Sequence, residues 1–90
     1  MQYDFTNLKV INIDGSDGAE MDKAFANAIY AQTRDLGLLE RARDIHAGKP
    51  VDLSETEVIE LKRVADSQTN GEYFFTAIGR KCLHDFLDKK

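Results

Sequence analysis

One cysteine, one proline and six glycines are all that this 90-residue chain holds of the residues that most constrain a backbone. Each scarcity excludes something. With Cys82 alone, no intrachain disulfide forms and no zinc site of the paired-cysteine type can be built, so the fold must rest on packing. Glycine and proline are too few for a linker-dominated or low-complexity chain. No apolar run approaches the roughly 20 residues that cross a bilayer. The start, Met1-Gln2-Tyr3-Asp4-Phe5, has neither the basic nor the apolar region of a signal peptide, so the expected location is the cytoplasm, without membrane contact. No segment repeats, which excludes a solenoid.

What is present reads as one domain over residues 1–90, since a chain of this length encloses one hydrophobic core and not two. Hydrophobic residues make up 42% and charged residues 31%, close to the usual globular balance. The net charge of −4 opposes attraction to phosphate backbones and anionic lipid. Residues 1–20 and 50–90 are acidic and 21–49 nearly neutral, so no segment forms a basic arm.

The first element is strand-like: Leu8, Val10 and Asn12 alternate with Lys9, Ile11 and Ile13. It stops at Asp14-Gly15-Ser16-Asp17-Gly18, from which Ala19-Glu20-Met21 can return as the second strand of a hairpin. From Asp22, read as an N-cap, the period changes to about 3.6, with Phe25, Ala28, Ile29 and Gln32 on one face of a helix over 23–35. Gly37 is read as the residue that ends it. A second helix over 38–47 carries Leu38, Leu39, Ala42 and Ile45 and stops at Gly48. Pro50 then enforces an extended link through Val51-Asp52-Leu53.

Ser54 with Glu57 three residues on, and Leu53 facing Val58 across the cap, mark the start of a third helix over 55–66. Val58, Leu61 and Ala65 are expected inside, Ile59 and Val64 at the edges, and Glu55, Glu60, Lys62 and Arg63 outside. After the polar break Ser67-Gln68-Thr69-Asn70-Gly71, a fourth helix is expected from Glu72, with Phe74, Phe75, Ile78, Cys82, Leu83, Phe86 and Leu87 at three- and four-residue spacing. Lys89 and Lys90 would complement its macrodipole. The expected fold is mainly α, of the α+β kind: a short N-terminal β-hairpin followed by about four helices around one core.

The link Gly48-Lys49-Pro50-Val51-Asp52-Leu53-Ser54-Glu55-Thr56-Glu57, within the stretch Ile45 to Ala65, has the layout Gly-x-Pro-Val-x-Leu-Ser-x-x-Glu. In this it resembles small uncharacterised proteins of bacteriophages and integrated prophages, in which a short N-terminal strand region leads to helices. The resemblance implies a phage or mobile-element origin and carries no activity or functional residues with it.

Signatures of chemistry are missing from every place they would be sought. Asp14-Gly15-Ser16-Asp17-Gly18 fails the calcium-loop spacing, which would need a glycine where Ala19 stands and a glutamate where Phe25 stands. His46 and His84 are the two histidines, and neither lies in a ligand-spaced cluster, so both are read as surface residues. Cys82 and His84 point about 200° apart on a helix and form no dyad, so Cys82 is read as a small core residue. No carboxylate pair sits in an apolar setting that would raise a pKa for acid catalysis, and no phosphate-binding glycine loop occurs. An enzyme is not expected, and neither a cofactor nor a metal.

Two surfaces remain. Tyr73, Phe74 and Phe75 are consecutive and span too wide an arc for one helix to bury, so aromatic surface is expected at Tyr73 and Phe74, with Tyr30 a similar candidate. Basic residues cluster at Arg41 with Arg43 and at Arg80 with Lys81. The leading expectation is a non-enzymatic protein-interaction or assembly module whose partner is another protein or a second copy, as in a homodimer. The alternative is a nucleic-acid-associated regulator contacting phosphate through Arg41, Arg43, Arg80 and Lys81, which the acidic charge disfavours.

Overall fold

Leucine, valine and isoleucine in alternation make the first hairpin, and the computed structural model, which describes residues 2–88, places it at the N-terminal end of an α+β fold. Strand β2 (Lys9–Ile11) pairs antiparallel with β3 (Asp17–Glu20). Leu8 and Val10 turn toward the core, while Ile11 and Ile13 face outward. The turn holds itself: the Asp14 carboxylate accepts hydrogen bonds from the Ser16 amide at 3.0 Å and its hydroxyl at 2.6 Å. These bonds lower the Asp14 pKa. Gly18 is required by close approach, because a Cβ there would lie 2.9 Å from the Val10 carbonyl oxygen and 2.8 Å from the Asn12 side chain. The register shift between Lys9 and Ile11 goes with it.

Helix α1 (Asp22–Gln32) buries Phe25, Ala26, Ala28 and Ile29. Asp22, expected as its N-cap, is instead its first residue and is buried, with Met21 in the cap position. The helix also ends three residues before the expected Asp35, because that aspartate starts the next one. The Asp35 carboxylate accepts from the Gly37 amide at 2.8 Å and caps α2 (Leu36–His46). Gly37 therefore lies in the first turn of a helix rather than beyond the end of one. Gly48 behaves as expected: at φ 80° its amide bonds the Ile45 carbonyl, and the next amide reaches Asp44, closing a Schellman motif.

Pro50 leads into β4 (Val51–Asp52), which pairs antiparallel with β1 (Gln2–Tyr3). Helix α3 (Glu55–Ala65) opens with the full capping box: the Ser54 hydroxyl accepts from the Glu57 amide, and the Glu57 carboxylate accepts from the Ser54 amide. Val64 lies in the core rather than at its edge, Val58 is half-buried and Ile59 is exposed. Glu60, expected to face solvent, accepts from the Thr33 hydroxyl, the Arg34 amide and the Arg63 guanidinium, and so ties α3 to the corner between α1 and α2.

The largest departure from the sequence reading is at residues 68–76. The fourth helix does not begin at Glu72. Gln68–Thr69 (β5) and Glu72–Tyr73 (β6) form a second hairpin, turned through Asn70 at φ 55° and Gly71 at φ 82°. Positive φ at both central residues is the two-residue turn that Asn-Gly favours. Helix α4 (Ala77–Leu87) starts only after Thr76, whose hydroxyl accepts from the Gly79 amide. The expected match of Lys89 and Lys90 to its dipole lies outside the described residues.

The core is one cluster to which all four helices and the N-terminal segment contribute, with Phe5, Leu8, Phe25, Ile29, Leu38, Ile45, Leu61, Val64 and Leu83 sealed from solvent. Aromatic rings run through it in series. Phe86 meets Phe5 at 4.8 Å between centroids, Phe5 meets Phe25 at 6.0 Å, Phe25 meets Phe75 at 6.0 Å, and Phe75 meets Phe74 at 4.9 Å. Tyr3 packs beside Phe5 and Phe86 and donates its hydroxyl to the Leu87 carbonyl at 3.1 Å, fastening the first strand to the end of the last helix. Among the described residues no helix is long and apolar enough to cross a membrane.

Candidate protein-interaction site

The second hairpin presents its aromatics in an unequal way. Phe75 turns into the core against Phe25, whereas Tyr73 and Phe74 remain 50% and 52% exposed. The aromatic surface expected at these positions is therefore present, but not for the reason of a helix too narrow to hide three rings. A strand end followed by a bend leaves Tyr73 and Phe74 outside, and Phe74 is propped edge-on against the buried Phe75.

Behind Tyr73 lies a polar clamp. Asp66, the C-cap of α3, accepts from Arg80 Nε at 3.1 Å, and its other oxygen lies 2.9 Å from His84 Nε2. Arg80 and His84 stand one turn apart on α4, so a single carboxylate receives both. The Arg80 guanidinium also covers the Tyr73 ring, 3.6 Å from its centroid. Burial acts to raise the Asp66 pKa, but the hydrogen bonds from His84 and Arg80 outweigh it and leave the value lowered. His84, read from the sequence as a surface residue, is thus half-buried and engaged. Ser67, next in the chain, has a buried hydroxyl without a hydrogen-bond partner among the described residues.

The basic candidates are dispersed and mostly occupied. Arg41 Nε donates to the Asp52 carbonyl at 3.1 Å and lies 3.9 Å from Glu57. Lys81 pairs with Asp85 at 2.7 Å one turn along α4. Arg43 meets Tyr30, its guanidinium 5.9 Å from the ring centroid. In two places, then, an expected aromatic contact and an expected basic contact are one unit: Tyr73 with Arg80, and Tyr30 with Arg43. Cys82 is buried, as expected for a small core residue, and faces the first hairpin beside Leu8 and Ile11. No group of three or more histidine, cysteine or acidic side chains suited to a metal ion occurs among the described residues.

No family model, curated protein or solved structure matches the chain. The site accordingly stands on its own geometry. One surface escaped the sequence reading: a hollow of about 600 Å³ between α3 and the end of α4, lined by Tyr3, Leu53, Val58, Ile59 and Leu87. Its residues come from four separate stretches, and only the expected place of Ile59 at the edge of the buried face hinted at it.

Proposed function

We propose that this chain is a non-enzymatic protein-interaction module that associates with a second copy of itself through the face built by Tyr73 and Phe74. The observation that carries the reading is that two adjacent aromatic rings, about half exposed, are held rigid: one stacked under Arg80, the other propped on Phe75. Rigid aromatics with an arginine beside them are the composition of interface anchors, because little side-chain entropy is left to lose on binding.

Magnitudes bound the affinity. Half-exposed rings of this size leave about 100 Å² each to bury. At about 25 cal/mol per Å², the pair contributes roughly 5 kcal/mol per protomer, or about 10 kcal/mol per dimer. Association costs roughly 4–15 kcal/mol, so the dimer forms in the micromolar range or weaker unless the surrounding rim adds to it. The nucleic-acid alternative is weakened by the internal engagement of Arg41, Arg80 and Lys81, since phosphate contacts need cations that are free to exchange counterions.

Sedimentation from low to high micromolar concentration tests the reading. A mass that rises with concentration in both low and moderate salt, and that returns to monomer in Tyr73→Glu and Phe74→Ser without loss of helicity, supports it. A constant monomer mass throughout removes self-association. On this reading the layout shared with small phage and prophage proteins points to a mobile-element origin; capsid, tail or terminase genes beside its own would support that, and a metabolic operon would remove it.

A further inference from the structure

Ala26 and Tyr30 stand four residues apart on α1, and Ala42 and His46 stand four apart on α2. The buried Ala26 and Ala42 have no side chain beyond Cβ to fill the space between the two helices. What they leave is a notch of about 270 Å³, walled by Asn27, Tyr30, Arg43 and His46. Every wall group except the tyrosine ring is a hydrogen-bond donor, and the tyrosine adds a hydroxyl.

Arg41, Lys62, Arg63, Arg80 and Lys81 each have a carboxylate within ion-pair distance, whereas Lys9, Lys23, Arg34, Arg43 and Lys49 have none among the described residues, and of these five only Arg43 lines the notch. Arg43 has none within 4.0 Å among the described residues; its neighbours are the Tyr30 ring and, further off, Glu40. The Tyr30 hydroxyl and the Glu40 charge both raise its pKa. Its planar fork lies beside the Tyr30 ring and hydroxyl and is left without a bidentate carboxylate partner among the described residues.

The size and surroundings of the notch select the occupant. Sites for whole small ligands run to about 300–1,000 Å³, so this one accepts a single side chain. A nucleic-acid strand would need a row of free cations along its path, and the notch is lined by one, Arg43. We infer that the α1–α2 notch receives one acidic side chain of a protein partner, its carboxylate held by the Arg43 fork with Asn27 and His46, and its stem lying along the Tyr30 ring. The inference rests on the protein-interaction reading but uses a different surface from the Tyr73–Phe74 face.

N-acetyl-glutamate amide, titrated into the full chain and followed by nuclear magnetic resonance, is the direct test. The expected result is saturable shifts confined to Asn27, Tyr30, Arg43 and His46, with none from the neutral N-acetyl-glutamine amide. Arg43→Gln, an exposed helix position whose fold is checked by circular dichroism, should weaken binding about tenfold or more, as loss of a charged hydrogen bond does. Arg41→Gln should leave it unchanged. Equal shifts with the glutamine compound, or inorganic phosphate shifting Lys81 and Arg41 as strongly as the notch, would overturn the inference. The two readings fail separately. Self-association through Tyr73 with no glutamate binding sinks the notch alone, whereas glutamate binding by a constant monomer keeps the notch and moves the partner from a second copy to another protein.

Discussion

Glu60 is the place where pH should act on this fold. Its carboxylate, with only 17% of the side chain exposed, collects four hydrogen bonds: two from Arg63, one from the Arg34 amide and one from the Thr33 hydroxyl. The Arg63 hydrogen bond is the largest influence on its pKa; burial works against it, the bonds from Arg34 and Thr33 add to it, and the pKa falls from 4.5 to about 2. A depressed carboxylate pKa means that the folded state holds the proton less tightly than the unfolded state does. Its stabilisation is thus complete above pH 4.5 and is lost as the pH falls toward 2. At about 1.4 kcal/mol per pKa unit the shift corresponds to roughly 3 kcal/mol. Arg63 is 40% exposed, and solvent screening brings the expected value to about 1.5–2 kcal/mol. Glu60→Gln keeps the shape and removes the charge. Urea titrations of both chains at neutral pH should differ by that amount, and the gap should close between pH 4.5 and 2, where Glu60 becomes neutral in both states. A gap that stays constant across this range would refute the electrostatic account and leave lost packing as its cause.

Ser54→Ala removes half of the capping box and should cost about 1 kcal/mol, a fall of roughly 4–8 °C in melting temperature, whereas Thr56→Ala beside it should be nearly silent. Tyr3→Phe deletes the hydroxyl bonded to the Leu87 carbonyl, and a loss of about 1 kcal/mol in chemical denaturation is expected, with the end of α4 showing faster amide exchange. The Cys82 thiol is buried, so its labelling by an aromatic disulfide reagent should follow the unfolded fraction as urea is raised; rapid labelling of the native protein at neutral pH would contradict its placement.

Local rules carried the reading a long way wherever one rule acted alone. Ser54 and Glu57 cap α3 because both partners of each hydrogen bond lie within one turn, and no distant contact has to agree. Gly48 ends α2 for the same reason, and the turn between β2 and β3 closes through the local bonds of Asp14 to Ser16. Where two local rules competed, tertiary packing chose between them. Gly37 is a good helix stop and Asp35 a good helix start, and the cap prevailed because Thr33 and Arg34 are held from across the fold by Glu60, while the Thr33 hydroxyl in turn accepts from the Asp35 amide. The spacing of Phe74, Ile78 and Cys82 reads as helix from residue 72, but Asn70-Gly71 makes a hairpin when Tyr73 can lie under Arg80 and Phe75 can reach Phe25.

The same division holds for the candidate surfaces. That aromatic surface would remain at Tyr73, Phe74 and Tyr30 was visible in composition and adjacency alone. Which side chains meet was not, since Asp66 with Arg80 and His84, Tyr30 with Arg43, and Tyr3 with Leu87 are contacts between separate elements. The pairing of Gln2 and Tyr3 with Asp52 and Val51 is the plainest case. Two-residue strands carry no alternation to read, and only the packing of helices between them brings their backbones into register.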